Sequence, residues 1–164
     1  PPRSTLFPYT TLFRSGGHPA FCCEKREAEK ITCYLKFEGG KELVNRKLEG
    51  GLASDTVEKI TLEDGGYLPV TEELFAEDAL IIENRQTQEV SLCDSEKVPY
   101  LTVKFDAPLF GVWSPVGKNA PFICIEPWYG RCDSVRFDGS LEEREWGSEL
   151  LPNTSFQTAY TVSV

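Results

Sequence analysis

An all-β fold is predicted from three observations. Short apolar or alternating runs recur at intervals of about 8–12 residues, the spacing expected of an antiparallel sandwich or barrel. Glycine-rich turns stand between these runs, at Gly39-Gly40, Gly50-Gly51 and Asp64-Gly65-Gly66. At the C-terminal end Phe156, Thr158, Tyr160, Val162 and Val164 alternate with Gln157, Ala159, Thr161 and Ser163, the pattern of a half-buried strand.

The 164 residues suit roughly one domain, and a hydrophobic fraction of 40% can bury a core. A net charge of −9 argues against nucleic acid or an anionic membrane as partner. It also provides no general attraction for phosphorylated substrates. No run approaches the ~20 apolar residues of a membrane span, and no segment has the pattern of a secretory leader. The six cysteines (Cys22, Cys23, Cys33, Cys93, Cys124 and Cys132) form no CxxC pair, and a single histidine leaves no Cys/His zinc pattern. Cys33 and Cys124 lie in strand-like runs, where a free thiol behaves as a small hydrophobe. A reducing, cytoplasmic setting is expected.

The chain starts Pro1-Pro2 and contains no methionine. Residues 5–15, TLFPYTTLFRS, resemble the in-frame translation of a common sequencing-adapter oligonucleotide. Residues 1–15 are accordingly expected to be an assembly artefact outside the fold, with the natural domain running from 16 to 164. Gly16-Gly17-His18-Pro19 follows, and Pro19 restricts His18 to an extended conformation, so the sole histidine sits on a constrained loop. It is either structural or a proton-transfer group, since its ordinary pKa suits chemistry near neutral pH.

Strands are then predicted over residues 32–37, 41–48, 57–62 and 67–70, with Asp64-Gly65-Gly66 read as a hairpin turn between the last two. Thr71 can cap a short turn over residues 72–75. Asp78 stands before the apolar run Leu80-Ile81-Ile82, as a turn residue or a site carboxylate. Residues 89–92, 100–105 and 109–113 are further strands, the last ending on Trp113. Between residues 138 and 151, Ser140 and Glu143 resemble a capping box, while Gly139 and Gly147 keep any helix short.

The chemistry centres on residues 120–133, APFICIEPWYGRCD. Phe122 to Ile125 read as a buried strand ending on Glu126, where Pro127 is expected to stop the ladder. Trp128 and Tyr129 follow directly. A carboxylate at a strand end beside flat aromatic surface either caps a loop or faces a small polar ring such as a sugar.

Residues 16–21 (GGHPAF), 74–82 (LFAEDALII), and 109–113 joined to 122–133 together resemble the aldose 1-epimerase (galactose mutarotase-like) family, bacterial branch. The resemblance implies an antiparallel β-sandwich of the supersandwich type that binds free hexoses in an open cleft, without a metal or organic cofactor. Carried over by motif, Glu126 would be the general base, His18 the general acid, and Asp78 a group holding sugar hydroxyls or orienting the histidine. Trp113, Trp128 and Tyr129 would offer apolar platforms to the pyranose.

The resemblance also implies a second histidine and an arginine upstream of Gly16. The fold is therefore expected to be N-terminally truncated and the chain as given to be inactive or nearly so. Residues 142–147, EEREWG, depart from the Lys-containing segment expected there. Two rivals remain: a non-catalytic carbohydrate-binding or sensing module, and a hexose-6-phosphate 1-epimerase, for which Arg131 and Arg136 are the candidate phosphate ligands. The preferred sugar and the oligomeric state are left open.

Overall fold

The computed structural model describes residues 10–23, 32–118 and 120–164. The strands among them are β1 (Thr11–Phe13), β2 (Ser15–Gly16), β3 (Ala20–Cys22), β4 (Tyr34–Phe37), β5 (Glu42–Glu49), β6 (Leu52–Thr61), β7 (Tyr67–Pro69), β8 (Leu80–Ile82), β9 (Glu89–Cys93), β10 (Pro99–Phe105), β11 (Leu109–Trp113), β12 (Phe122–Tyr129), β13 (Ser148–Leu150) and β14 (Tyr160–Ser163). Two antiparallel sheets form the body, one of five strands in the order β14-β10-β9-β4-β7 and one of seven in the order β2-β12-β11-β8-β5-β6, with β3 also pairing β12. The predicted all-β antiparallel sandwich is what the chain forms.

Period-2 alternation explains the core. Leu35 and Phe37 of β4, Val90 and Leu92 of β9, and Val103 and Phe105 of β10 meet Leu80, Ile82, Phe110, Val112, Ile123 and Ile125 of the other sheet. Phe110 stands at the centre, its ring 6.3 Å from that of Phe37 and 5.2 Å from that of Phe105. Burying such side chains is worth ~1.5–3 kcal/mol each, which identifies this layer as the main source of stability.

Several sequence expectations change at this level. The Asp64-Gly65-Gly66 turn exists, with φ of +90° at Gly65 and +83° at Gly66, and closes one antiparallel bridge between Glu63 and Tyr67, but β6 and β7 do not continue it as a hairpin. Strand β6 pairs β5, and β7 pairs β4 in the opposite sheet. The turn is a crossover, and Gly66 is where it presses closest: its carbonyl accepts the Phe37 N–H at 2.9 Å, and a Cβ there would lie 2.3 Å from the Phe37 carbonyl oxygen.

The C-terminal strand is shorter than predicted and exposed on every residue rather than half-buried, because β14 is an edge strand paired only to β10. Pro127 does not stop β12. Its carbonyl accepts from Gly17 N–H, so its nitrogen also faces the gap at residues 17–19, where no ladder donor is required. Cys33 is not a free thiol but is disulfide-bonded to Cys23. The end of the adapter-like stretch takes part in the sheets: β1 pairs β13, and Ser15 of β2 pairs Tyr129.

The caps fare better. Leu74 N–H donates to Thr71 Oγ1 over a single 3-10 turn at Glu73–Phe75, and Ser140 N–H donates to Glu143 Oε2 over another at Leu141–Glu143.

Candidate functional site

The site lies on the face of the seven-stranded sheet turned away from the core. Along β12, Ile123 and Ile125 point into the core, so Cys124, Glu126 and Trp128 point the other way. Gly111 of β11 is the register partner of Glu126. A Cβ at Gly111 would lie 2.5 Å from Trp128 Cη2 and Cζ2, so the indole lies across a gap that only glycine leaves open. Trp128 Nε1 then donates to Glu126 Oε2 at 3.2 Å.

His18 is delivered to the same place by β12 itself. Strands β2 and β3 both pair with β12, one on each side of residues 17–19, while Gly17 N–H donates to Pro127 O and Ile125 N–H donates to Pro19 O. The loop is pinned at both ends. His18 Nε2 stands 3.4 Å from Glu126 Oε1, with the carboxylate side chain 3% exposed and the imidazole 62% exposed. The Trp113 ring meets the imidazole edge-on at 6.3 Å.

These groups line a cavity of about 410 Å³ that also includes Asp78, Ile81 and Arg131. Asp78 adopts φ of +84°, a conformation that Asp tolerates better than most residues, and its Oδ1 accepts from Ala79 N–H. Burial raises the Glu126 carboxyl above its ordinary value. The His18 imidazole and the Trp128 N–H pull it down, and the nearby Asp78 charge adds to the rise. A buried carboxylate held at a raised pKa and facing an imidazole across a cavity is an arrangement that can exchange protons with a bound molecule.

Of the residues expected at the site, His18, Asp78, Trp113, Glu126 and Trp128 come together around the cavity. Tyr129 does not. Alternation places it on the opposite face of β12 from Glu126, where it packs against the core and its hydroxyl donates to Asp106 O at 3.1 Å.

The arginines considered for phosphate are also committed elsewhere. Arg131, 3% exposed, donates from Nε to Glu83 Oε1 at 2.6 Å and from Nη2 to Glu145 Oε2 at 2.5 Å. Arg136 pairs with Asp55 at 2.8 Å on the surface.

Three features were missed from sequence. Glu83, buried just after β8, accepts from Arg46, Arg131 and Trp146 Nε1. The EEREWG segment, given no role in advance, is docked against the site by Glu145 and Trp146, and by Arg144 on Asp133. That last pair, with Arg14, holds the Asp133 carboxyl down at about 2. Gly111 could have been suspected, because a glycine inside a strand marks a close approach. Glu83 offered no such signal.

The antiparallel two-sheet architecture of this chain is the galactose mutarotase-like fold. It superposes on a galactose mutarotase related enzyme from Lactobacillus acidophilus with a TM-score of 0.79 and 28% identity, over 95% of this chain and 53% of that one. A galactose mutarotase-like protein from Lactobacillus casei gives 0.74 at 24% identity, over 94% and 52%. In sequence the chain is 30% identical over 153 residues to protein LacX of Lactococcus lactis subsp. lactis, in its plasmid and chromosomal forms, covering 91% of this chain and 51% of each. It thus spans about half the length of the curated relatives it matches. No family model matches. No described helix is long and apolar enough to cross a membrane.

Proposed function

We propose that this site is that of an aldose 1-epimerase-like isomerase, which interconverts the α and β anomers of a free hexose by acid/base ring opening. The observation that carries the reading is the Glu126–His18 contact of 3.4 Å on the floor of the cavity. In the forward direction Glu126 takes the proton from the C1 hydroxyl while His18 protonates the ring oxygen. The C1–ring-oxygen bond breaks and C1 becomes an aldehyde. Rotation about C1–C2 exposes its other face, and closure returns both protons to give the other anomer. The two sugar oxygens share one carbon, so an acid and a base this close suit the step. Trp113 and Trp128 supply apolar surface to the C–H face of the ring, and Asp78 is placed to accept from a sugar hydroxyl.

The phosphorylated-sugar alternative gains no support, because Arg131 and Arg136 are already paired with carboxylates. The binding-module alternative is decided by assay. Polarimetry of freshly dissolved α-D-galactose is run with this chain and, where the gene extends upstream, with the longer product. A positioned general base is worth ~10²–10⁴-fold, so Glu126→Gln should lower the rate by that factor while sugar still binds. Sugar binding with an anomerisation rate indifferent to Glu126→Gln would remove the catalytic reading and leave a carbohydrate-binding module.

A further inference from the structure

Cys124 has no part in the proton transfer above, yet it lies on the same face of β12 as Glu126, two residues away. His18 is pinned over that face by the β2–β3 loop. One donor atom from each of His18, Cys124 and Glu126 lies within 4.8 Å of the other two, and Cys124 belongs to no disulfide. No spacing rule reveals this set, because the histidine and the Cys-x-Glu pair come from distant parts of the chain.

Thiolate, imidazole and carboxylate together are the donor set of zinc-type cations, with bonds of ~2.3, ~2.0–2.1 and ~2.0–2.2 Å respectively. In a tetrahedral arrangement those bonds put neighbouring donors ~3.3–3.6 Å apart. The His18–Glu126 separation of 3.4 Å already has that value, and the thiol, within 4.8 Å of both, closes the remaining distance on binding. One thiolate and one carboxylate neutralise a divalent ion, so the filled site would bury no net charge. The exposed side of His18 leaves a fourth position facing the cavity.

We propose that His18, Cys124 and Glu126 form a binding site for a thiophilic divalent cation of the Zn²⁺ class. Binding replaces the thiol proton: the S–H bond breaks, the S–metal bond forms, and one proton goes to solvent. Where this rests on the isomerase reading above, the cation takes up both proton-transfer groups and excludes the sugar.

The experiment uses Cd²⁺ on the full chain carrying Cys22→Ser and Cys132→Ser, which removes an exposed thiol and a second thiol lining the cavity. Calorimetry should give one Cd²⁺ per chain, with an ultraviolet thiolate-to-cadmium charge-transfer band and release of a proton. Adding Cys124→Ser should abolish the band. Since Cys124 is buried, His18→Ala, at an exposed position, gives a second reading that leaves the core untouched. It should weaken binding by at least the ~10–100-fold that losing an outer-shell partner costs. Absence of the band in the starting protein, its survival in Cys124→Ser, or affinity unchanged in His18→Ala would each overturn the site. Galactose should raise the apparent Kd for Cd²⁺. Cd²⁺ bound through these three residues but indifferent to galactose would instead count against the sugar-site reading.

Discussion

Glu83 and Glu126 are both buried carboxylates at the seven-stranded sheet, and each accepts an indole N–H, from Trp146 at 3.1 Å and from Trp128 at 3.2 Å. Beyond that they are treated in opposite ways. Glu83 also receives Arg131 at 2.6 Å and Arg46 at 3.1 Å, and Arg131 is shared with Glu145. Glu126 faces a largely exposed imidazole at 3.4 Å and feels the unhelpful charge of Asp78. A carboxylate fully paired with guanidinium groups serves to hold loops in place. One that is buried and thinly compensated is held where its proton can come and go. The same residue type thus becomes a strut in one place and, in the function proposed above, a reactive group in another, and the difference lies in what surrounds it.

The largest effect should come from Glu83→Gln. Removing one partner of a buried ion cluster leaves charge uncompensated, at a cost of ~3–5 kcal/mol. Urea unfolding should show a loss of that size, and a loss below about 1 kcal/mol would mean that the cluster is not the strut described here.

Next comes Gly111→Ala, which keeps the backbone and pushes the Trp128 indole off its seat. Overpacking of this kind costs ~1–3 kcal/mol, and the Trp128–Glu126 hydrogen bond should be lost with it. Weakened sugar binding together with a changed indole fluorescence would sharpen the comparison. Unchanged binding would show that Glu126 does not depend on Trp128.

The smallest effect concerns the stability of Glu126→Gln. The folded state raises the Glu126 carboxyl above its ordinary value of 4.5, so it holds that proton more tightly than the unfolded chain does. Stability from this group is therefore fully present below 4.5 and is lost as pH rises through the folded value. Near pH 4 the variant and the parent chain should unfold at similar urea concentrations, and by pH 7 the glutamine variant should be the more stable. A parent chain that gains on the variant as pH rises would show that Glu126 is compensated like Glu83 after all.

Local pattern made much of this legible. The carboxylate and aromatics of residues 126–129 stood out by type, but ending the strand at Pro127 hid the alternation that sets Glu126 and Trp128 on one face and keeps Tyr129 out of the cavity. The capping hydrogen bonds of Thr71 and Glu143 followed from residue type and spacing. The strand pairing beyond the Glu63–Tyr67 bridge at Asp64-Gly65-Gly66 did not, because a tight turn specifies a reversal of direction but not which sheet the next strand joins. That choice was made by β4, whose open edge accepts β7.

What the sequence by itself determined is the class of structure and the local direction of each side chain, since both depend on neighbours a few residues away. What only the tertiary structure decided is which charges meet. Glu83 finds Arg131 and Trp146 from 48 and 63 residues away, His18 is set beside Cys124 and Glu126 by the pairing of β2 and β3 with β12, and Cys23 finds Cys33. Long-range pairing is fixed by the burial of whole sheet faces, which no single segment encodes. The same residue type in the sequence could therefore end in a fully paired ion cluster or as a thinly compensated carboxylate.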